Sequence, residues 1–116
     1  MAVDVSVDRT YAVDTQDVTL SLTIGDGQFG VSDVHLGSQQ LVRASGPITV
    51  RVGKGPDIAG QTLVVTSVVN DVNTQTNKMS VSYRLTGGKA ADAFVASGTV
   101  ASQGGVLVFQ ANIALQ

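Results

Sequence analysis

The sequence predicts an all-β domain, a two-sheet antiparallel β-sandwich of about seven to nine strands. Short runs alternate apolar and polar residues at a period of two, which on a strand turns one face to the core and the other to water. Turn-forming clusters rich in Gly, Asp, Asn and Ser separate these runs. All nine acidic residues are aspartates, and aspartate favours turns where glutamate favours helices. No segment predicts a helix.

In the first half of the chain, the alternation is clearest from Val18 to Ile24, where an apolar residue takes every second position. Before it, valines alternate with polar residues from Val3 to Val13, as one long strand or as two joined at a bulge. Pro47 suits the start of a further strand, because proline cannot donate to a ladder inside a sheet. The apolar runs of this half cover residues 3–13, 18–24, 31–36, 41–42 and 48–52.

The second half begins with an irregular loop at 53–60. A valine-rich run at 63–69 follows, and we expect it to be a central strand that is buried on both faces. A polar loop at 70–77 leads to an alternating strand at 79–85, which Gly87 and Gly88 close. The last two strands, 94–100 and 106–115, are expected to form a hairpin across the turn at 102–105.

Residues 63–88 resemble part of a known class of domain. A valine-rich strand is followed by Asn70-Asp71-Val72-Asn73 and then by Ser80-Val81-Ser82-Tyr83-Arg84-Leu85. In this succession the chain resembles the immunoglobulin-like modules of bacterial surface and secreted proteins. The cysteine pair and core tryptophan of antibody domains are absent from the sequence. The resemblance implies an immunoglobulin-like sandwich with a modular role, and it carries over no functional residue.

Length and composition indicate one folded domain over residues 1–116. Hydrophobic residues make up 43% of the chain and charged residues 14%, which suits a single packed core. The net charge is −2 and the seven basic residues are scattered, so no nucleic-acid partner is expected. No apolar run approaches the ~20 residues of a membrane helix, so membrane insertion is not expected either. The sequence has no cysteine, which excludes disulfides and thiolate metal sites.

The start of the sequence, 1–4, has neither a basic region nor a long apolar stretch and predicts no signal peptide. Two localisations stay open. The strands and loops are rich in Thr, Ser, Asn and Gly, which favours an extracytoplasmic or secreted domain carrying an added methionine. The alternative is a cytosolic or phage-particle protein that starts natively at Met1.

Two motifs suggest ligands but have plainer interpretations. The spacing Gly25-x-Gly27-x-x-Gly30 matches the dinucleotide fingerprint, yet that motif must open a helix and none is predicted here, so we expect a turn. Oxygen-bearing side chains at every second position of 71–77 outline a calcium loop. Asp71 is its one carboxylate unless Asp26 assists, and an Asx-rich turn is the favoured interpretation. The sequence predicts no metal and no cofactor.

No catalytic set is visible in the sequence, and we expect no enzyme. His35 is the single histidine, and the alternation turns it away from the face shared by Val34 and Leu36, toward solvent. No serine lies in a nucleophile elbow. A chain without glutamate is also a poor fit to paired-carboxylate glycoside hydrolysis.

The function predicted first is a non-catalytic binding or adhesion module for a protein or glycan partner. If the strands cross the sandwich up and down in order, the loops at 25–30, 70–77 and 101–105 share one pole, and loops on a rigid scaffold commonly carry binding. Phe29 is the aromatic expected to be exposed there, although folding back as a plug over the core is the favoured alternative. The candidate binding residues are Asp26, Phe29, Asp71 and Asn73.

The alternative function is a structural subunit of phage, pilus or surface-layer type, which would form homo-oligomers through an edge strand or a sheet face. The low charge content favours it. The first strand carries Asp4, Asp8 and Arg9, whereas the last strand, 106–115, has no charge to block pairing. If that strand were an open edge, it would need a partner.

Overall fold

Two sheets account for nine strands in the part of the chain that the structure, a computed structural model, describes: residues 2–116. One helical turn, α1 (Gly55–Ile58), accompanies them. The strands are β1 (Val5–Tyr11), β2 (Asp17–Ile24), β3 (Phe29–Leu36), β4 (Gln39–Ser45), β5 (Ile48–Lys54), β6 (Thr62–Asn70), β7 (Lys78–Thr86), β8 (Asp92–Thr99) and β9 (Val106–Leu115).

The two sheets confirm the predicted all-β sandwich. One has the order β1-β9-β6-β3-β4 and the other β5-β2-β7-β8. Their ladders are antiparallel, apart from a parallel pairing of β1 with β9. This arrangement of strands is consistent with an immunoglobulin-like sandwich. In chain order the β7–β8 hairpin lies between β6 and β9, which are neighbours in the five-stranded sheet.

The core lies between the inner faces of the two sheets, and the period-two pattern decides which residues enter it. In β2, Val18, Leu20 and Leu22 are buried while the residues between them are more exposed. Two serines also point inward: Ser32 on β3 and Ser67 on β6 are paired in register, and their hydroxyls lie 2.7 Å apart. Each serine therefore satisfies the other inside an apolar core.

The predicted hairpin between the last two strands is wrong. β8 pairs with β7 in the four-stranded sheet, whereas β9 lies between β6 and β1 in the five-stranded sheet. The chain therefore crosses from one sheet to the other over 100–105. It follows that 106–115 is not an open edge; in the described chain the edge strands are β1, β4, β5 and β8. Alternation shows which face of a strand is buried, but not which sheet the strand joins.

Other details also differ from the sequence prediction. β6 is central as predicted, but its second face is half-buried at Val64, Thr66 and Val68; its valines reflect strand propensity as well as burial. The predicted loop at 53–60 contains the turn of α1, whose first residues include the helix-compatible Pro56. β1 ends at Tyr11. No helix within residues 2–116 has the length and apolar character needed to cross a membrane.

Candidate binding surface at the loop pole

Three loops meet at one end of the sandwich, as predicted for strands that cross it alternately up and down. The backbone N–H of Asp71 donates to the carbonyl of Gly105 at 2.9 Å, and the N–H of Val100 donates to the carbonyl of Asn77 at 3.1 Å. The side chain of Asn73 donates to the carbonyl of Asp26 at 2.8 Å. We call the residues 25–28, 71–77 and 100–105 the loop pole. These contacts fix its three loops relative to one another.

Gln28 is the centre of this arrangement, and the sequence gives no sign of it. The residue is 8% exposed, and its amide makes four hydrogen bonds. Nε2 donates to the carbonyls of Thr76 at 3.1 Å and Lys78 at 2.9 Å. Oε1 accepts the backbone N–H groups of Val72 at 2.8 Å and Asn73 at 2.9 Å. A polar residue in a glycine-rich segment is expected to be exposed, so pattern alone could not identify it.

The glycine-rich segment forms a tight turn. The N–H of Gln28 donates to the carbonyl of Gly25 at 3.2 Å, and the two residues between them have positive φ, 59° for Asp26 and 69° for Gly27. Positive φ at both central positions is the mark of a type I′ turn, for which Asp-Gly is a favoured pair. The interpretation of the glycines as a turn, rather than as a nucleotide fingerprint, is confirmed.

Both side-chain groups of Asn73 make hydrogen bonds that stabilise the loop at 71–77. Its Oδ1 accepts the N–H of Gln75 at 3.0 Å, which is an Asx turn, while its Nδ2 donates to the carbonyl of Asp26. The favoured interpretation of 71–77 as an Asx-stabilised loop therefore holds at this residue. The side chain of Asp26 is exposed beside it.

Asp71 differs from the other three sequence candidates because its side chain is buried. The residue is 3% exposed, and neither carboxylate oxygen has a hydrogen-bond partner in the described chain. Its main chain is tied to the third loop, where Gln103 Nε2 donates to the Asp71 carbonyl at 3.4 Å. Asp71 therefore does not present its carboxylate at the outer surface.

Phe29 is exposed, and the plug interpretation is wrong. The residue is 47% exposed and is the first residue of β3. At the next position, Gly30 packs against Ile24 and Val69, so its lack of a side chain lets Ile24 close the end of the core. Since neighbours on a strand face opposite ways, Phe29 turns outward.

An apolar strip extends from Phe29 along the outer face of the five-stranded sheet. Phe29 pairs with Asn70, which pairs with Val106, and in the next outward row Val31 pairs with Val68; paired residues share a face. Val106 is 48% exposed, and Val72 in the adjoining loop is 55% exposed. We define the apolar strip as Phe29, Val31, Val68 and Val106.

Polar residues border the strip. A shallow cavity of about 460 Å³ is lined by Val31 and Val68 together with Asp33, His35, Arg43 and Thr66. His35 lies on the outer face as predicted, with Nδ1 3.3 Å from Asp33 Oδ1, and Gln40 donates to the same oxygen at 2.9 Å. Among residues 2–116, no group of three or more His, Cys, Asp or Glu side chains is placed to hold a metal. The geometry is that of an apolar surface with a polar rim, a common form of binding site.

In comparisons with known proteins, no family model, no curated protein and no solved structure matches the chain.

Proposed function

We propose that this domain is a non-catalytic binding module that engages a protein partner through the apolar strip and the adjoining loop pole. The observation that carries the proposal is the placement of Phe29. A large aromatic side chain is 47% exposed on a strand, where the sheet face meets the hydrogen-bonded loops. Aromatic anchors of this kind dominate the binding energy of many interfaces.

The surroundings of Phe29 favour a protein over a glycan. Val31, Val68 and Val106 extend the contact area with aliphatic groups, and Asp33 and Arg43 supply charge at the rim. Sugar recognition would call for more polar groups converging on the strip. The four hydrogen bonds of Gln28 hold the loop beside Phe29, and such preorganisation lowers the entropy cost of association.

Selection of binders tests the proposal. Peptides are first selected from a random display library for binding to the wild-type domain, and their affinity for Phe29→Ala is then measured. Val95→Ala is the matched control, since Val95 is 62% exposed on the other sheet. We expect Phe29→Ala to weaken binding about tenfold or more and Val95→Ala to leave it unchanged, with both variants folded. Binders that depend on Val95 and ignore Phe29 would contradict the proposal. A glycan array bound through Phe29, with no peptide selected, would overturn the choice of a protein partner.

A second candidate function, self-assembly through an edge, is favoured by β8. This strand pairs with β7 alone, has no proline, and its single charge, Asp92, is held by Arg9 at 2.9 Å. Val95 is exposed in the middle of it. Apart from Asp92, β8 therefore has no charge or proline that would hinder its pairing with another chain.

Solution mass separates the two functions. Light scattering over about a hundredfold range of concentration should show a concentration-dependent dimer if β8 self-associates. Val95→Lys should then abolish it and Val106→Lys should not, because an edge charge opposes strand pairing. A monomer at every concentration contradicts self-assembly and leaves the binding module.

A further inference from the structure

We propose that the buried carboxylate of Asp71 binds a calcium ion at the junction of the three loops of the loop pole. This inference goes beyond the proposed function and does not depend on it. It concerns how the pole is held together, whatever partner the apolar strip takes.

The starting point is the isolation of the Asp71 side chain. The residue is 3% exposed, and both Oδ1 and Oδ2 are buried without a hydrogen-bond partner among residues 2–116. No Lys or Arg nitrogen of the described chain forms an ion pair with it. A buried carboxylate without compensation is strongly unfavourable, so such groups are paired, hydrogen-bonded or coordinated to metal.

The position of Asp71 suits a cation. Its N–H is bound to Gly105 and its carbonyl to Gln103, while the next residue in the loop, Val72, is bound to Gln28. Three loops therefore meet at this residue, and the main-chain groups that they bring to it include two carbonyl oxygens, those of Gly105 and of Asp71 itself. Calcium accepts carboxylate, carbonyl and water oxygens in flexible geometry, whereas magnesium demands a near-ideal octahedron.

The proposed site differs from the alternating calcium loop outlined by the sequence. Asn73, the second residue of that pattern, has both side-chain groups committed to Asp26 and Gln75. We therefore centre the site on the carboxylate of Asp71, with the remaining ligands from the main chain and solvent. With a single carboxylate we expect weak affinity, in the range of about 10⁻⁴–10⁻³ M found in extracellular modules.

Thermal unfolding of three proteins tests the site: wild type, Asp71→Asn and Asp26→Asn. Asp26→Asn is the matched control, because it removes the same charge from an exposed side chain at the same pole and asparagine tolerates its positive φ. Each is measured by circular dichroism in about 10 mM CaCl₂, in MgCl₂ at the same concentration, and in EDTA at matched ionic strength. We expect calcium to raise the Tm of wild type and Asp26→Asn by about 6–11 °C and that of Asp71→Asn by less than about 1 °C.

The order of stabilities gives a second signature. In EDTA, Asp71→Asn should be at least as stable as wild type, because the substitution removes an uncompensated buried charge; in calcium, wild type should be the more stable. Three results would overturn the proposal: no calcium response of wild type beyond that in magnesium, an equal response of Asp71→Asn, or a loss of stability in Asp71→Asn that is the same in calcium and EDTA.

A measurement on wild type alone covers the case in which Asp71→Asn does not fold. In ¹H–¹⁵N spectra, calcium should shift the backbone amide signals of Asp71, Gly105 and Gln103 saturably and together. Shifts confined to exposed aspartates such as Asp26 and Asp57 would indicate non-specific association and would overturn the site.

Discussion

Gln28 and Asn73 join two loops in both directions. Gln28 Oε1 accepts the backbone N–H of Asn73 at 2.9 Å, and Asn73 Nδ2 reaches back 2.8 Å to the carbonyl of Asp26, two residues before Gln28. Each side chain therefore satisfies main-chain groups of the other's loop. Loops tied in this way keep their shape without regular secondary structure, and the exposed Phe29 directly follows one of them.

Gln28→Ala should lower the free energy of unfolding by about 2–4 kcal/mol, because it removes four hydrogen bonds and leaves four part-buried main-chain groups without partners. Urea denaturation measures the loss, and faster hydrogen exchange at Val72 and Asn73 locates it. Gln103→Ala is the control: that side chain is exposed and makes one bond of 3.4 Å. Equal losses in the two variants would show that Gln28 has no special role.

Tyr83→Phe should be neutral, or stabilising by up to about 1 kcal/mol, at pH 7. The Tyr83 hydroxyl is buried without a partner in the described residues, so its removal ends a desolvation cost. The ring stacks on Phe94 with centroids 4.8 Å apart, and phenylalanine keeps that contact. A loss of more than about 1 kcal/mol in chemical denaturation at pH 7 would mean that the hydroxyl does form a stabilising bond.

The same residue predicts a pH dependence. Burial raises the pKa of Tyr83 from its ordinary 10.0 to about 12. Between these values the folded protein retains a proton that the unfolded chain releases, so stability falls as pH rises through this window. Tyr83→Phe should therefore lose less stability than wild type between pH 10 and about 12. Parallel alkaline curves for the two proteins would contradict this assignment.

Gly87→Ala and Gly60→Ala should separate steric crowding from backbone strain. The two glycines have nearly the same φ, 91° and 87°. A methyl group at Gly87 would overlap the main-chain carbonyl of Asp17, whereas at Gly60 it would meet nothing within 4 Å. We expect a loss of about 1 kcal/mol at Gly60 from strain alone and about 2–4 kcal/mol at Gly87, measured by denaturation. Similar losses would show that the chain near Asp17 moves aside easily.

Ser32 and Ser67 should behave as one unit. Ser32→Ala or Ser67→Ala leaves a buried hydroxyl without its partner 2.7 Å away, at a cost of about 1–2 kcal/mol each. The double variant removes both hydroxyls, so its loss should fall short of the sum by about 1 kcal/mol. A double-mutant cycle in urea measures this coupling, and additive losses would show that the two hydroxyls do not support each other.

The outward turn of Phe29 shows where local pattern reaches its limit. Alternation alone would place it on the outer face, but its position beside a glycine-rich turn favours a loop residue folded back on the core. The packing of Ile24 against Gly30 decides the matter, and that contact joins two strands from different sheets. The convergence of the loops could be anticipated from strand parity, yet the amide of Gln28 that joins them carries no periodic signal.

The sequence by itself determined where the strands lie and which side of each faces the core, because the period of two is a property of neighbouring residues. Only the tertiary structure decided that β8 joins β7 while β9 lies between β1 and β6, and that Asp71 is buried. Both depend on partners distant in the chain. Several strands offer equally apolar faces, and the choice among them is made by packing of the whole sandwich rather than by any local preference.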